Sequence, residues 1–204
     1  MNWTDIHGCF SFAEFYDFVA SSRNSYAWRG VEVGALHGQS ARYLAAALRR
    51  NLVPSMHARL DVVELSDNRE ILRANLADVA GTIGDIHSPC FSLQAATMYD
   101  AASLDFVFLD ADHSYEGVSA DIAAWTPKVK RGGIIAGHDF CHYFPGVIRA
   151  VLERFPQVNV WRGTEWPDEH VPHDWRRKAA EEDFRKRSVH GGCKDYLASW
   201  WVRI

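Results

Sequence analysis

Trp28-Arg-Gly-Val-Glu-Val-Gly-Ala-Leu-His-Gly-Gln-Ser40 is the stretch on which the fold turns. Val31 and Val33 read as a short buried strand with Glu32 between them, and Gly34 ends it. Ala41 to Arg50 follows, a segment of strong helix formers. The order is strand, glycine turn, helix. Gly34 lets the chain turn tightly and lets a ligand approach the backbone. The amides of Gly38, Gln39 and Ser40 open the helix, where free N–H groups point at a bound carboxylate or phosphate. The glycine spacing is Gly-x-x-x-Gly, whereas the dinucleotide fingerprint requires Gly-x-Gly-x-x-Gly. Ala35 fills the middle place, which counts against a pyrophosphate pressed onto this turn and hence against a nicotinamide oxidoreductase.

The whole chain narrows the choice further. Its 204 residues, 48% hydrophobic and 24% charged, suffice for one globular domain over 1–204 with a large core. The net charge of −4 provides no basic field for nucleic acid or an anionic membrane surface, so neither is expected as a partner. No apolar run is long enough for a bilayer span, and the N-terminus lacks the cationic and apolar pattern of a signal peptide. Cys9, Cys90, Cys141 and Cys193 are scattered, without a Cys-x-x-Cys pair, and read as reduced thiols of a cytoplasmic protein.

Ahead of the deciding stretch, Ser11-Phe-Ala-Glu14 has the form of a capping box. It opens a helix with Phe12, Phe15, Tyr16 and Val19 on one face. This N-terminal aromatic segment, 1–25, is expected to pack on a sheet; capping a pocket, or forming the face of a homodimer, are the functional readings. Downstream, after a loop containing Pro54, Arg59 to Leu65 reads as a second strand with Glu64 at its C-terminal end. An acid there accepts hydrogen bonds from both ribose hydroxyls in doubly wound folds. Asp67 is set aside as part of a capping box, Asp67-Asn-Arg-Glu70, for a helix over 68–79. Thr82 to Ser88 is a third strand, and Ser92 reads as the N-cap of a helix over 93–102.

Phe106-Val-Phe-Leu109 is a buried-strand run that ends abruptly in Asp110-Ala-Asp112-His113. A helix from Tyr115 to Val129 follows, with Val118, Ile122 and Trp125 inward. Gly132 to Gly137 is another apolar strand, ending in His138-Asp139. Two strands thus deliver carboxylates and imidazoles to the edge where open α/β sheets bind their ligands, and crowding such groups without a ligand is costly. A helix over 145–154 begins with Pro145, and a sixth strand runs over 157–161. The charged segment 164–194 reads as an insertion or lid, with a helix over 174–187 and surface histidines His170, His173 and His190. Tyr196 to Ile204 is a terminal strand.

Strand–helix alternation through six strands implies a parallel sheet with helices on both faces. A last strand without a helix after it, returning as in a hairpin, is antiparallel. The expectation is a Rossmann-like, doubly wound, seven-stranded α/β sheet. With these motifs, the sequence resembles the class I S-adenosylmethionine (SAM)-dependent methyltransferases. The first motif has the form Val-Glu-Val-Gly-Ala-x-x-Gly-x-Ser. The closest likeness is to a small bacterial branch, through Asp110 to Val118, Asp121-Ile122, Trp125, Gly132-Gly133 and Gly137-His138-Asp139. The chain is more distantly similar to catechol and macrolide-sugar O-methyltransferases.

The resemblance implies SAM as cofactor, with Glu64 on the ribose and Gly34, Ala35, Gly38 and Ser40 at the methionine end. It implies that Glu32 orients the amino group, that Phe91 and Ser92 border the adenine, and that Asp110 lies beside the cofactor. It also implies a divalent metal on Asp110 and Asp139, with His138 in the remaining place and His113 as the base. His138 stands where relatives carry an oxygen ligand, which moves the preference from magnesium toward manganese or another transition ion. The implied reaction is O-methylation of a small-molecule hydroxyl on a sugar, phenol or natural product, with Asp110, His113 and His138 as catalytic residues. The residues by themselves leave two other classes open: a metal-dependent hydrolase or lyase using the Asp/His cluster, and a non-catalytic SAM- or nucleoside-binding module.

Overall fold

Val31 and Val33 lie in β1 (Ala27–Val33), an interior strand with a paired strand on each side. This computed structural model describes residues 2–8, 10–22, 26–51, 56–141, 143–161 and 198–204. The expected 164–194 insertion, its helix and its three histidines, Pro54, Cys9 and Cys193 lie outside the described residues. The strands after β1 are β2 (His57–Val63), β3 (Ile83–His87), β4 (Leu104–Leu109), β5 (Val129–Gly137), β6 (Asn159–Trp161) and β7 (Ser199–Arg203). They form one sheet in the order β3-β2-β1-β4-β5-β7-β6. The pairs β1–β2, β1–β4, β2–β3 and β4–β5 are parallel, and β7 runs antiparallel to both β5 and β6. The reversed last strand was legible; its insertion between β5 and β6 was not.

The strand period of two sends alternate residues of β4 to two separate cores. Phe106 and Phe108 join α1 (Ala13–Ser21), α2 (Gln39–Arg50) and α3 (Arg69–Asn75) on one face. Val107 and Leu109 join α4 (Ser92–Ala96), α5 (Tyr115–Trp125) and α6 (Pro145–Arg154) on the other. Phe12, Phe15, Tyr16 and Val19 are buried in the first of these cores. Phe12 and Phe108 have ring centroids 4.7 Å apart, and Tyr16 meets Phe108 edge-on at 5.2 Å. Because their apolar area is consumed within the chain, these four are not the face of a homodimer. Among the described residues no helix is long and apolar enough to cross a membrane.

Two capping boxes expected from sequence do not form. α1 has Phe12 at its N-cap without a side-chain cap, because the Ser11 hydroxyl lies 3.3 Å from His138 Nε2 instead. α3 is preceded by Asn68, whose side chain makes no cap and donates to the Leu36 carbonyl; Asp67 does not cap it. Ser92 is the first residue of α4 and not its cap. α5 does carry a side-chain cap: Ser114 Oγ accepts from the Gly117 amide at 3.0 Å. Pro127 then ends the helical run in a 3-10 turn, Thr126–Lys128, and β5 starts at Val129.

Candidate active site

β1, β2 and β4 end at a cavity of about 910 Å3, at the carboxyl edge where the sequence placed its chemistry. Gly34, φ +91°, begins its floor. A Cβ there would lie 1.9 Å from the Asp110 carbonyl oxygen, so only glycine lets the β1 and β4 ends approach this closely. The Gly34 and Ala35 amides both donate to the Val63 carbonyl, at 2.9 and 3.2 Å. Gly38 departs from its expected role. Its amide donates to the Ala35 carbonyl at 2.7 Å, and the cavity wall does not include it. With φ +86° it turns the chain into α2, and its α-carbon faces Leu72 and Leu76. The first-turn positions Gln39 and Ser40 do line the cavity.

Glu64 is 7% exposed and lines the same cavity. Its Oε2 accepts from the Leu36 amide and its Oε1 from the Ser66 amide, both at 2.7 Å. Each oxygen keeps a second lone pair for a ligand hydroxyl. Leu36 is held at φ +48° to deliver its amide, a conformation unfavourable for a side chain of this kind.

Glu32 lies behind this floor and is not part of the cavity wall. It is 1% exposed; Ser40 Oγ donates to one oxygen at 2.5 Å and Tyr16 Oη to the other at 2.8 Å. Its carboxylate therefore holds Ser40 in position from behind the cavity wall. Burial is the dominant influence on it and pushes its pKa up to about 7 from 4.5. The folded chain thus binds this proton more tightly than the unfolded chain. The associated stability is present below about pH 4.5 and lost as pH rises toward 7, a difference of about 3 kcal/mol. Glu32→Gln, which cannot ionise, is expected to raise the thermal midpoint at pH 8.5 by about 5 °C or more, the gain shrinking toward pH 5. Unfolding scans at the two pH values check this, and an equal difference at both would contradict it.

Phe91 and Ser92 also line the cavity. Phe91 is 66% exposed, so it is a wall and not core. The Ser92 hydroxyl donates to Asp121 Oδ1 at 2.5 Å and accepts from Trp125 Nε1 at 2.9 Å, so its one proton is committed.

Past the ends of β4 and β5, Asp110, His113 and Asp139 bring one ligand atom each within 4.8 Å of one another. His113 Nε2 is 2.8 Å from Asp139 Oδ2 and 3.6 Å from Asp110 Oδ1. It is screened from solvent, yet no acceptor lies along its N–H. Asp139 reaches this position from φ +56°, a strained backbone held by its surroundings. The expected trio contained His138; the group whose ligand atoms converge here contains His113. The reason is strand alternation: His138 follows Ala136 onto the α1 face, 4.6 Å from the Phe12 ring. Only its Nδ1 faces the acids, at 3.5 Å from Asp139 Oδ1 and 3.8 Å from Asp110 Oδ1. His138 is 4% exposed and absent from the wall of the main cavity. The expected base role of His113 changes too. Asp110 and Asp139 push its pKa up to about 10, so with only these carboxylates facing it the imidazole is already protonated at neutral pH.

The trio fits a divalent cation. Two carboxylates and an imidazole form a mixed oxygen–nitrogen donor set that favours manganese, iron or cobalt over magnesium. Other cavity residues were not anticipated: His7 and Gly8 from the N-terminal segment, and Ala120 and Asp121 on α5. The i, i+3, i+4 spacing of Gly117, Ala120 and Asp121 was the signal for the last group.

A family model described as a methyltransferase domain matches residues 31–140, more than half of the chain. The sequence matches no curated protein. Among solved structures, cofactor-bound Rv0187 from MTB is 22% identical, with a TM-score of 0.54, over 94% of this chain and 79% of that one. The O-methyltransferase from Bacillus cereus in complex with SAH is 16% identical, TM-score 0.56, over 98% and 86%. An rRNA methylase from Streptococcus thermophilus is 10% identical, TM-score 0.59, over 96% and 98%. At such identities the likeness shows the fold.

Proposed function

The chain belongs to the methyltransferase domain family, and from that premise we propose that it transfers the methyl group of SAM to a hydroxyl oxygen of a small molecule. The observation that carries this reading is Glu64. A nearly buried carboxylate, fixed by the Leu36 and Ser66 amides beside the Gly34 turn, suits the paired hydroxyls of a ribose. Four carboxylates line the cavity and, among the described residues, no lysine or arginine does, which favours a small acceptor over a polyanionic nucleic acid.

In this reading Glu64 holds the ribose, and the Gly34-Ala35 turn with the first-turn groups of Gln39 and Ser40 holds the methionine end. Phe91 walls the adenine, and Asp110 stands between cofactor and acceptor. When bound, SAM supplies a methyl already activated by a sulfonium, so the protein acts mainly by alignment. Asp110, His113 and Asp139 would hold the divalent cation, which when bound lowers the pKa of an acceptor hydroxyl. His138, pinned by Ser11 and Phe12, keeps the two acids in place.

Thermal unfolding with SAM, S-adenosylhomocysteine or NAD tests the premise. A ligand at about 100 times its Kd adds about 2.7 kcal/mol, a shift of roughly 5–10 °C for a domain of this size. The expected result is a shift with the two sulfur nucleosides and none with NAD. Labelled methyl from SAM should then appear on a catechol or sugar within a hydroxyl library. No shift with S-adenosylhomocysteine would overturn the reading.

A further inference from the structure

Of the three groups that would hold the cation, His113 is the least enclosed. Its side chain is 37% exposed, against 22% for Asp110 and 6% for Asp139. Both of its contacts with the acids run through one atom, Nε2. Contacts at a single ring atom leave the plane of the ring undetermined, whereas a ligating nitrogen must aim its lone pair. Phe144 supplies the missing restraint: its ring centroid lies 4.6 Å from that of His113, with the two planes tilted by 59°. We propose that Phe144 is a positioning residue, whose ring fixes the plane of the His113 imidazole with Nε2 turned toward Asp110 and Asp139. The proposal rests on the divalent-cation reading of the trio and adds the residue that orients its one nitrogen ligand.

The chain holds this contact from both partners. The Cys141 amide donates to the Asp139 carbonyl at 2.8 Å, and the Phe144 amide donates to the Cys141 carbonyl at 3.0 Å. These two bonds tie Phe144 back to Asp139, so the segment that carries one acid also carries the ring. The Phe144 carbonyl then accepts from the Val147 amide at 3.0 Å, and Pro145 opens α6. In that first turn a Cβ at Gly146 would lie 2.7 Å from the Tyr115 amide nitrogen and 3.2 Å from the His113 carbonyl oxygen. A glycine there lets α6 press directly on the backbone that carries His113. The Phe144 ring is itself partly buried and packs on the core that contains Val147 and Ile148, which restrains it. The imidazole thus has its backbone set by Gly146 and its plane by Phe144. A ligating histidine ordinarily has its ring orientation fixed by a hydrogen bond at the other nitrogen; here a ring contact acts in the same sense, at a separation typical of aromatic pairs.

Manganese titration, followed by the electron paramagnetic resonance of the free ion, tests this without turnover. Phe144→Leu keeps an apolar side chain on the core and removes the ring. Its manganese affinity should fall by about tenfold or more, the loss typical of removing a group that orients a ligating histidine. Phe144→Tyr keeps the ring and should stay within about twofold of wild type. S-adenosylhomocysteine affinity should be the same in all three proteins. In a His113→Ala background Phe144→Leu should cause no further loss of manganese, because a residue that acts through His113 has nothing left to orient. A Leu variant with wild-type manganese affinity overturns the role of Phe144 and leaves the cation site standing. So does one that loses as much with His113 absent as present, or that loses S-adenosylhomocysteine and manganese together. A wild type that binds no manganese overturns the cation reading itself.

Discussion

Glu64→Ala is expected to weaken S-adenosylhomocysteine binding by about 100-fold or more, while the residual turnover at saturating SAM falls much less. Two charge-assisted hydrogen bonds to ribose hydroxyls, at about 1.5–3 kcal/mol each, account for the loss. The same carboxylate also restrains the Leu36 and Ser66 amides. Without it the turn after Gly34 loses the partner that holds Leu36 in its left-handed conformation. Part of the loss therefore comes from a floor that is no longer preorganised. Glu64→Gln separates the two contributions: one amide oxygen keeps a backbone partner while the charge is gone, and an intermediate loss of about tenfold is expected. Titration of the three proteins with S-adenosylhomocysteine decides it. Equal affinities would remove Glu64 from the site and, with it, the observation on which the proposed function stands.

Glu64 was legible from sequence because its position needs only the end of a strand, and strand ends are set by an apolar run meeting a polar residue. The same holds for Asp110 after Phe106-Val-Phe-Leu109, and for the parallel order of the sheet. The exchange of His138 for His113 was not legible. Both histidines lie near strand ends, and which one faces the acids depends on strand parity carried past Gly137 and on the positive φ of Asp139. Ser11, Asp67 and Ser92 show a related limit. Each has the residue type of a helix cap. Two of them instead meet tertiary partners, Ser11 at His138 and Ser92 at Asp121 and Trp125, and local preference yields to them. Asp121 hid within a helix face because its serine partner is 29 residues away.

Asp139→Asn is expected to reduce methyl transfer by about a thousandfold while leaving S-adenosylhomocysteine affinity within about twofold. Asparagine tolerates the left-handed backbone that Asp139 adopts, so the fold should survive. What goes is one of two carboxylates in the Asp110, His113, Asp139 donor set. EDTA should reproduce the loss in wild type, and manganese should restore activity there but poorly in the variant. The competing account, in which His113 acts as a metal-free base, makes the opposite forecast. Its imidazole is pushed up to about 10 by the two acids beside it. Only about one molecule in a thousand then carries a neutral ring at pH 7. Removing a carboxylate would lower that value and enlarge the competent fraction, so activity at pH 7 would hold or rise, and EDTA would do nothing. Turnover of the variant at pH 7, measured with and without EDTA, separates the two accounts by direction and not by degree. Undiminished activity would transfer the chemistry from a bound cation to the histidine.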